Sequence, residues 1–247
     1  QSCRSCHPAE HASWHRTFHR TMTQEARPGV VAAPFDGRLL RERGRVFGLE
    51  EEDGGYYVYE FDPAESGDPA ELDDHEWVPE AESVRRVVMT TGSHHLQAYW
   101  LEGADGLLEQ LPFVYLIREG RWLANEDSFL QPPVPDDEPL PRYTWSDGCA
   151  LCHTTGGPWT ALEVPEEGLP EAAIGELGIS CEACHGPAEA HARAQRAPWT
   201  RYGAHLLGAQ PSDVVNPAEL EAPRAAAVCG RCHAVHPSGG EPPGAMA

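Results

Sequence analysis

The chain has 247 residues and a formal net charge of −21, because 39 acidic side chains stand against 18 basic ones, all of them arginine. A surface of this charge is expected to avoid nucleic acid and anionic lipid. No apolar run approaches the roughly 20 residues of a membrane-spanning helix, and only 40% of the residues are hydrophobic. The chain therefore has few hydrophobic residues for the core of the one large domain or two small domains that this length suggests.

The N-terminal segment predicts a helix that follows a cysteine-containing turn. Cys3, Cys6 and His7 form the phrase Cys-x-x-Cys-His. Over residues 8–26, an early proline and large apolar residues spaced by four are typical of a helix. Three histidines in this stretch also recur every four residues and would share one helix face: His11, His15 and His19.

Residues 30–125 predict a small antiparallel β-region. A hairpin is indicated by two apolar runs, 45–49 and 56–61, that flank an acidic stretch ending in Asp-Gly-Gly. Further strands are predicted between glycine or Asp-Gly turns, at residues 84–91, 95–101, 113–118 and 122–124.

The rest of the chain predicts short helices and long loops. Residues 131–141 hold five prolines and three acids and predict an irregular connector. Helices are predicted at residues 182–197, where Gly186 and Pro187 interrupt the pattern, and at residues 224–235.

The phrase Cys-x-x-Cys-His occurs four times and uses all eight cysteines of the chain. It is the attachment signature of a c-type haem, in which two cysteines on one side of a helical turn hold the porphyrin edge and the histidine binds iron. Zinc knuckles would not explain a histidine after every second cysteine, and a disulfide within Cys-x-x-Cys would close only a tiny loop. We therefore expect four covalently bound haem c groups, attached at Cys3 and Cys6, Cys149 and Cys152, Cys181 and Cys184, and Cys229 and Cys232.

The histidine count favours two protein ligands on most of the irons. Four histidines follow the cysteine pairs as proximal ligands: His7, His153, His185 and His233. Nine histidines remain, whereas the chain has only three methionines, so mostly bis-histidine haems are expected. His236 and His191 follow a proximal histidine too closely in the sequence to bind the same iron from the opposite face of the porphyrin. His94 and His95 lie in a predicted strand, where their side chains would point to opposite faces.

These features together predict a mixed fold with little regular secondary structure. Short helices and loops would pack around the haems, with the small antiparallel β-region as an insert. The expected segments are an N-terminal haem-binding segment (1–29), a β-rich insert (30–130) and a C-terminal three-haem region (131–247), forming one compact multihaem unit.

The haem phrases and their neighbours resemble the cytochrome c-554 type of multihaem cytochrome. The likeness includes Trp14 to Met22 after the first phrase, Trp145 before the second, and the run from Gly178 to His191 around the third. The resemblance implies that the histidine of the tryptophan segment and the histidine after Cys-His-Gly-Pro are distal ligands. The first segment is one residue longer than the usual spacing, so His15 stays an alternative to His19. The distal candidates are, in order, His19, His95, His191, His94, His15, His236 and His205.

The expected function is electron transfer without a catalysed reaction. An enzyme that reduces or oxidises a small nitrogen or sulfur species is the alternative, and it would need one iron with an open position. Because haem is attached outside the cytoplasm, we expect a periplasmic or extracellular protein whose signal peptide has been removed. Residues 1–47 carry a net charge of +4 and residues 50–82 carry fourteen acids without an arginine. The expected partners are thus other redox proteins or copies of the chain in a head-to-tail filament.

Overall fold

The computed structural model describes residues 3–66, 83–103, 107–128, 135, 140–145, 149–156, 175–208 and 214–234. The chain divides into two compact units. The first unit comprises residues Gln1–Arg20 and Ala150–Ala247, and the second comprises Thr21–Cys149. The three segments predicted from the sequence stay a prediction.

The second unit is built on one eight-stranded antiparallel sheet that is nearly closed on itself. Seven strands follow one another in the order of the chain from β2 to β8, and β1 pairs with β5. The strands are β1 (Thr23–Glu25), β2 (Asp36–Glu42), β3 (Arg45–Glu52), β4 (Gly55–Phe61), β5 (Ser83–Thr91), β6 (Leu96–Glu102), β7 (Leu108–Leu116) and β8 (Arg121–Ala124).

The predicted fold class is therefore wrong. The chain is not mainly a haem-packed assembly of short helices and loops with a small β-insert, because the large sheet is its dominant regular structure. The sheet encloses a core of its own side chains, to which Phe47, Leu49, Tyr99, Leu101 and Leu111 each contribute a fully buried side chain. Tyr56 and Val58 of β4 belong to this core, whereas Tyr59 and Phe61 of the same strand pack with Val46 in a second cluster.

The hairpin between β3 and β4 confirms the turn predicted from the sequence. Glu52 pairs with Gly55, and the two residues between them are Asp53 with φ 51° and Gly54 with φ 76°. Two successive left-handed residues match the right-handed twist of the flanking strands, which explains the preference for Asp-Gly at this place.

A fully bonded glutamine ties the loop before β2 to the sheet. Gln97, which is 1% exposed, accepts hydrogen bonds from the Ala32 amide (2.7 Å) and the Tyr99 hydroxyl (2.8 Å). Its side-chain amide donates to the carbonyls of Val30 and Gly92, each at 3.0 Å. Because every polar atom of this side chain has a partner, its burial adds specificity to the core without an unsatisfied group.

The described helices are short. They are α1 (Pro8–Trp14), α2 (Phe18–Thr21), α3 (Pro63–Ser66), α4 (Asn125–Ser128), α5 (Ala150–His153), α6 (Cys181–His185), α7 (Glu189–Gln195), α8 (Pro198–Leu207) and α9 (Ala222–His233). A two-stranded ribbon in the first unit pairs β9 (Thr154–Thr155) with β10 (Glu176–Leu177). None of the helices in the described ranges has the length and apolar character needed to cross a membrane.

Two of the three predicted helices are divided into shorter ones. The single helix predicted over residues 8–26 is wrong, because the Thr17 hydroxyl and amide both bond to the Trp14 carbonyl and end α1 there. The interruption predicted at Gly186 and Pro187 is confirmed, since Gly186 has φ 75° between α6 and α7. The connector predicted at residues 131–141 lies mostly outside the described residues.

Candidate cofactor-binding site

All four Cys-x-x-Cys-His motifs lie on single helical turns. In the first motif, the amides of Cys6 and His7 donate to the Cys3 carbonyl at 3.2 and 2.9 Å, directly before α1. The second motif ends α5, the third motif forms α6 and the fourth motif is the last turn of α9. A helical turn brings residues i and i+3 to one side, so each motif presents its two thiols together.

The described motifs of the first unit approach one another in a definite order. Burial raises the pKa of the Cys181 thiol, and Cys3 beside it adds to the increase through a side-chain hydrogen bond. Burial likewise raises the pKa of the Cys184 thiol, with further contributions from Cys229 and Cys232. The first motif thus neighbours the third motif, and the third neighbours the fourth.

The fourth motif is next to the second. The Cys152 thiol donates to the carbonyl of Arg231, a residue inside the fourth motif, at 3.9 Å. By the nearness of their cysteines, the motifs follow the order first, third, fourth and second, which differs from their order in the sequence.

Two pairs of histidine rings, called the facing histidine pairs below, have centroids separated by about the distance expected for two ligands of one iron. The ring centroids of His7 and His191 are 6.3 Å apart, and those of His19 and His233 are 6.0 Å apart. An iron between two imidazoles would separate their centroids by roughly 6.3 Å, given metal–nitrogen bonds of about 2.0–2.1 Å. Each pair joins a histidine that directly follows a cysteine pair to a histidine far away in the sequence.

Two further proximal histidines have surroundings that suit a metal ligand. The Nδ1 atom of His185 lies 2.8 Å from the Val215 carbonyl, so this nitrogen donates and Nε2 is left to bind a metal. Burial lowers the pKa of His153, which favours the neutral imidazole that metals bind.

A cavity of about 440 Å³ lies against the first and third motifs. Its lining includes Cys3, His7, Cys181, His185 and His191, together with the apolar side chains of Trp14 and Ile179. The volume falls within the range of roughly 300–1,000 Å³ that cofactor pockets occupy. Thiols, imidazoles and apolar walls in one cavity fit a covalently held porphyrin.

A second cavity of about 490 Å³ shares Cys3 and Cys181 with the first and is rich in arginine. Its lining includes four arginines, Arg4, Arg20, Arg193 and Arg196, and three glutamates, Glu176, Glu182 and Glu189. Arg193 is paired with Glu189, so three of the arginines are left for other carboxylates. Guanidinium groups are the strongest side-chain donors to carboxylates. The cavity therefore suits the two propionates that each haem carries at its edge.

Other histidines named from the sequence are outside the two pairs, although His15 lines the second cavity. His94 and His95 belong to a bend before β6 rather than to a strand, and their ring centroids are only 4.3 Å apart. The prediction that they point to opposite faces of a strand is therefore wrong. His15 contacts His11 at 5.7 Å, whereas His205 is exposed on α8. His75 and His236 lie outside the described residues.

Within the described part of the chain, no three His, Cys, Asp or Glu side chains gather in a way that could hold a metal ion. A haem iron takes four ligands from its porphyrin and only one or two from the protein. The facing histidine pairs are therefore the relevant geometry for haem.

No sequence pattern marks the groups that hold these motifs in place. The Val215 carbonyl beside His185 and the Trp14 indole, which donates to the Ile179 carbonyl at 2.7 Å, are both contacts over long sequence separations. Gly178, before the third motif, carries the one usable signal, because a glycine beside a functional motif often marks a close backbone approach.

A family model described as cytochrome c554 and c-prime matches residues 135–186, a stretch that contains the second and third motifs. The match supports a c-type cytochrome that carries electrons on covalently bound haem. No curated protein and no solved structure matches the chain.

Proposed function

We propose that the protein is a tetrahaem c-type cytochrome that passes single electrons through four closely spaced haems. The family match supplies the class of protein, and the four motifs supply the number of attachment sites. The eight cysteines would hold the porphyrins through thioether bonds, and the histidine of each motif would bind the iron. The bound haem supplies one-electron redox chemistry, while the chain fixes ligands, spacing and solvent access.

The facing histidine pairs are the observation that carries this proposal. His191 would complete the ligation of the iron bound by His7, and His19 would complete that of the iron bound by His233. Two imidazole ligands give a low-spin iron with no free position and a lower potential than a His/Met pair gives. Such irons exchange electrons and do not bind substrates.

The contacts between the motifs support a path through the haems in the order first, third, fourth and second. Porphyrins attached to neighbouring cysteines, such as Cys3 and Cys181, have edges close together. The same holds for the pair Cys184 and Cys229, and for Cys152 beside Arg231. Electrons would therefore enter at one of the outer haems, attached at the first and second motifs, and leave at the other.

An enzyme with one open iron is the second candidate, and His185 is the observation that favours it. Among the described residues no histidine ring contacts the ring of His185. His11 lines the same cavity and belongs to neither histidine pair, so it is a candidate for the sixth ligand of this iron. If that position stays open, the iron would bind a small nitrogen or sulfur species.

Carbon monoxide separates the two candidates, since it binds only reduced irons with a free or weakly held position. The carrier predicts intact mass equal to the polypeptide plus four haems, a low-spin spectrum and no carbon monoxide uptake. Uptake of one carbon monoxide molecule per chain would favour the enzyme if altering the third motif abolished this uptake and left the other haems unchanged. Free thiols in any motif would contradict the tetrahaem assignment.

A periplasmic or extracellular location follows from covalent haem attachment and belongs to the same proposal. The partners would be other redox proteins or copies of this chain. The basic stretch 1–47 and the acidic stretch 50–82 are complementary in charge and support head-to-tail filaments of an extracellular wire. Electron microscopy of the native preparation at low salt should show filaments. Separate particles at every protein concentration would contradict the filament proposal.

A further inference from the structure

Three residues before the third motif form a junction between several haem-binding segments of the first unit. The Ile179 amide donates to the His19 carbonyl at 2.9 Å, and the Gly178 amide donates to the His153 carbonyl at 3.1 Å. The Trp14 indole donates to the Ile179 carbonyl at 2.7 Å. Ser180 then leads directly into Cys181. We call residues 178–180 the junction segment.

A buried threonine holds the junction segment at both ends. The Thr155 hydroxyl donates to the Gly178 carbonyl at 2.9 Å and accepts from the Ser180 amide at 2.7 Å. Thr155 is only 5% exposed, so neither hydrogen bond competes with bulk water. One side chain thereby fixes the conformation of the whole segment.

Gly178 permits a close approach that no other residue would allow. Its φ is 76°, and a Cβ atom at this position would lie 2.8 Å from the Arg20 carbonyl oxygen and 3.1 Å from that of His19. Any side chain here would push the backbone of His19 and Arg20 away.

The helix that carries His19 depends on this contact for its position. Helix α2 has only four residues and none of them is buried. So short a helix has little stability of its own, and it has no buried apolar face to anchor it. The hydrogen bond from Ile179 is therefore a principal restraint on the backbone that aims the His19 ring.

We propose that Thr155 and Gly178 are positioning residues that set His19 as the axial ligand of the iron bound by His233. This inference rests on the proposed axial pairing of His19 with His233. The junction segment holds the His19 backbone from one side, and the ring reaches across 6.0 Å to its partner. An axial bond tolerates little displacement, because ligand geometry must hold within roughly 0.5 Å.

Two glycines with nearly equal φ provide the test in the full haem-loaded chain. Gly178→Ala and Gly186→Ala both place a side chain at a positive φ, 76° and 75°, that strains any L residue. Only the Cβ at position 178 meets neighbouring backbone, because nothing lies within 4 Å of a Cβ at Gly186. Gly178→Ala should bind one more carbon monoxide per reduced molecule than wild type, with one haem becoming high-spin. Gly186→Ala should match wild type in both readouts.

Thr155→Val provides an independent variant in case Gly178→Ala does not accumulate. It keeps the shape of the side chain and removes both hydrogen bonds, so it should give the same extra carbon monoxide uptake and at least tenfold faster hydrogen exchange at the Ile179 amide. Thr155→Ser should restore the wild-type behaviour. Thr154→Val is the control, because the Thr154 hydroxyl is equally buried but donates to the Ala150 carbonyl instead.

The variant His19→Ala distinguishes two outcomes: that the positioning role is wrong, or that the proposed pairing of His19 with His233 is wrong. If His19→Ala adds no carbon monoxide uptake, the pairing itself is wrong. If His19→Ala adds one site while Gly178→Ala and Thr155→Val behave like their controls, the pairing stands and the positioning role is overturned.

Discussion

The imidazoles of His7 and His191 are 6.3 Å apart at their centroids although 184 positions separate them in the sequence. Replacing His191 by alanine should leave the iron bound by His7 with one protein ligand. That iron should become high-spin, its potential should rise, and it should bind one carbon monoxide when reduced. Spectra and redox titration of the purified protein measure all three changes.

His205→Ala is the matched control for this substitution, because His205 is also in the first unit but is exposed on α8. The control should keep the spectrum and potentials of the wild type. An unchanged spectrum in His191→Ala itself would show that His7 takes its partner elsewhere or has none.

Tyr99 offers a test of the sheet core that depends on pH. Burial raises the pKa of Tyr99, which is 0% exposed, while its hydroxyl donates to Gln97 and accepts from the Ala33 amide. Tyr99→Phe should cost about 1–3 kcal/mol at neutral pH, because both partners lose a buried hydrogen bond.

This cost should shrink in alkali. The pKa of Tyr99 in the folded protein is above the value of about 10 for an unfolded chain. Its contribution to stability is therefore complete below pH 10. It is lost as the pH rises further, because the tyrosine then ionises only in the unfolded chain. Phenylalanine has no such loss. Urea unfolding should therefore show a smaller difference between wild type and Tyr99→Phe at pH 11 than at pH 9, and a constant difference would contradict the assignment.

At the scale of elements, an ion-pair network links strands of the sheet beyond their backbone ladders. Glu109 on β7 accepts from Arg85 on β5 at 2.6 Å and from Arg142 at 3.3 Å. Glu109→Gln should lower stability by about 1–2 kcal/mol, because Arg85 and Glu109 are each mostly shielded from water.

Thermal unfolding at low and high salt checks this prediction. The loss should be smaller at high salt, since salt screens the charges. Glu102→Gln, at the exposed end of β6, should have no comparable effect. Equal melting temperatures for all three proteins would show that the network adds no stability.

The individual strands were largely predictable from the sequence, whereas their assembly was not. The Asp53-Gly54 turn and the aromatic and β-branched residues of β4 are local signals that residues within a few positions produce. The addition of β1 to the sheet depends on its pairing with β5, such as Thr23 with Thr91, which no local pattern records. The low hydrophobic fraction of the whole chain also did not indicate that the buried apolar residues are concentrated in the sheet unit.

The candidate site was predictable only to the extent that its chemistry is local. Two cysteines and a histidine on one turn leave a fixed spacing in the sequence. The partner of each proximal histidine depends on tertiary contacts, and the resemblance pointed to His19 and His191 without saying which iron each would serve. Thr155 and Val215 act through single hydrogen bonds to distant backbone, which leave no pattern at all.

At the scale of the whole molecule, the two units differ in what their stability requires. The buried hydrophobic residues of the described chain belong almost entirely to the sheet unit, and the first unit contributes only Ala150 and Ile179. A unit with so small a core needs additional apolar surface or a covalent constraint. Four porphyrins would provide both.

Protein produced without haem should therefore keep its sheet and lose most of its helical unit. Hydrogen exchange should show protected amides in β3, β4, β6 and β7 and fast exchange in α6, α7 and α9. Haem-loaded protein measured in parallel is the control. Equal protection of both units without haem would show that the first unit folds on its own side chains.

The account rests on four irons, each tethered to a cysteine pair and arranged in the order first, third, fourth and second motif. Anomalous diffraction at the iron edge from crystals of the native protein measures this most directly. The account predicts four iron peaks in that order, with His7 and His191 on one iron and His233 and His19 on another. Fewer peaks, a different order, or an iron bound by other residues at these two places would contradict it.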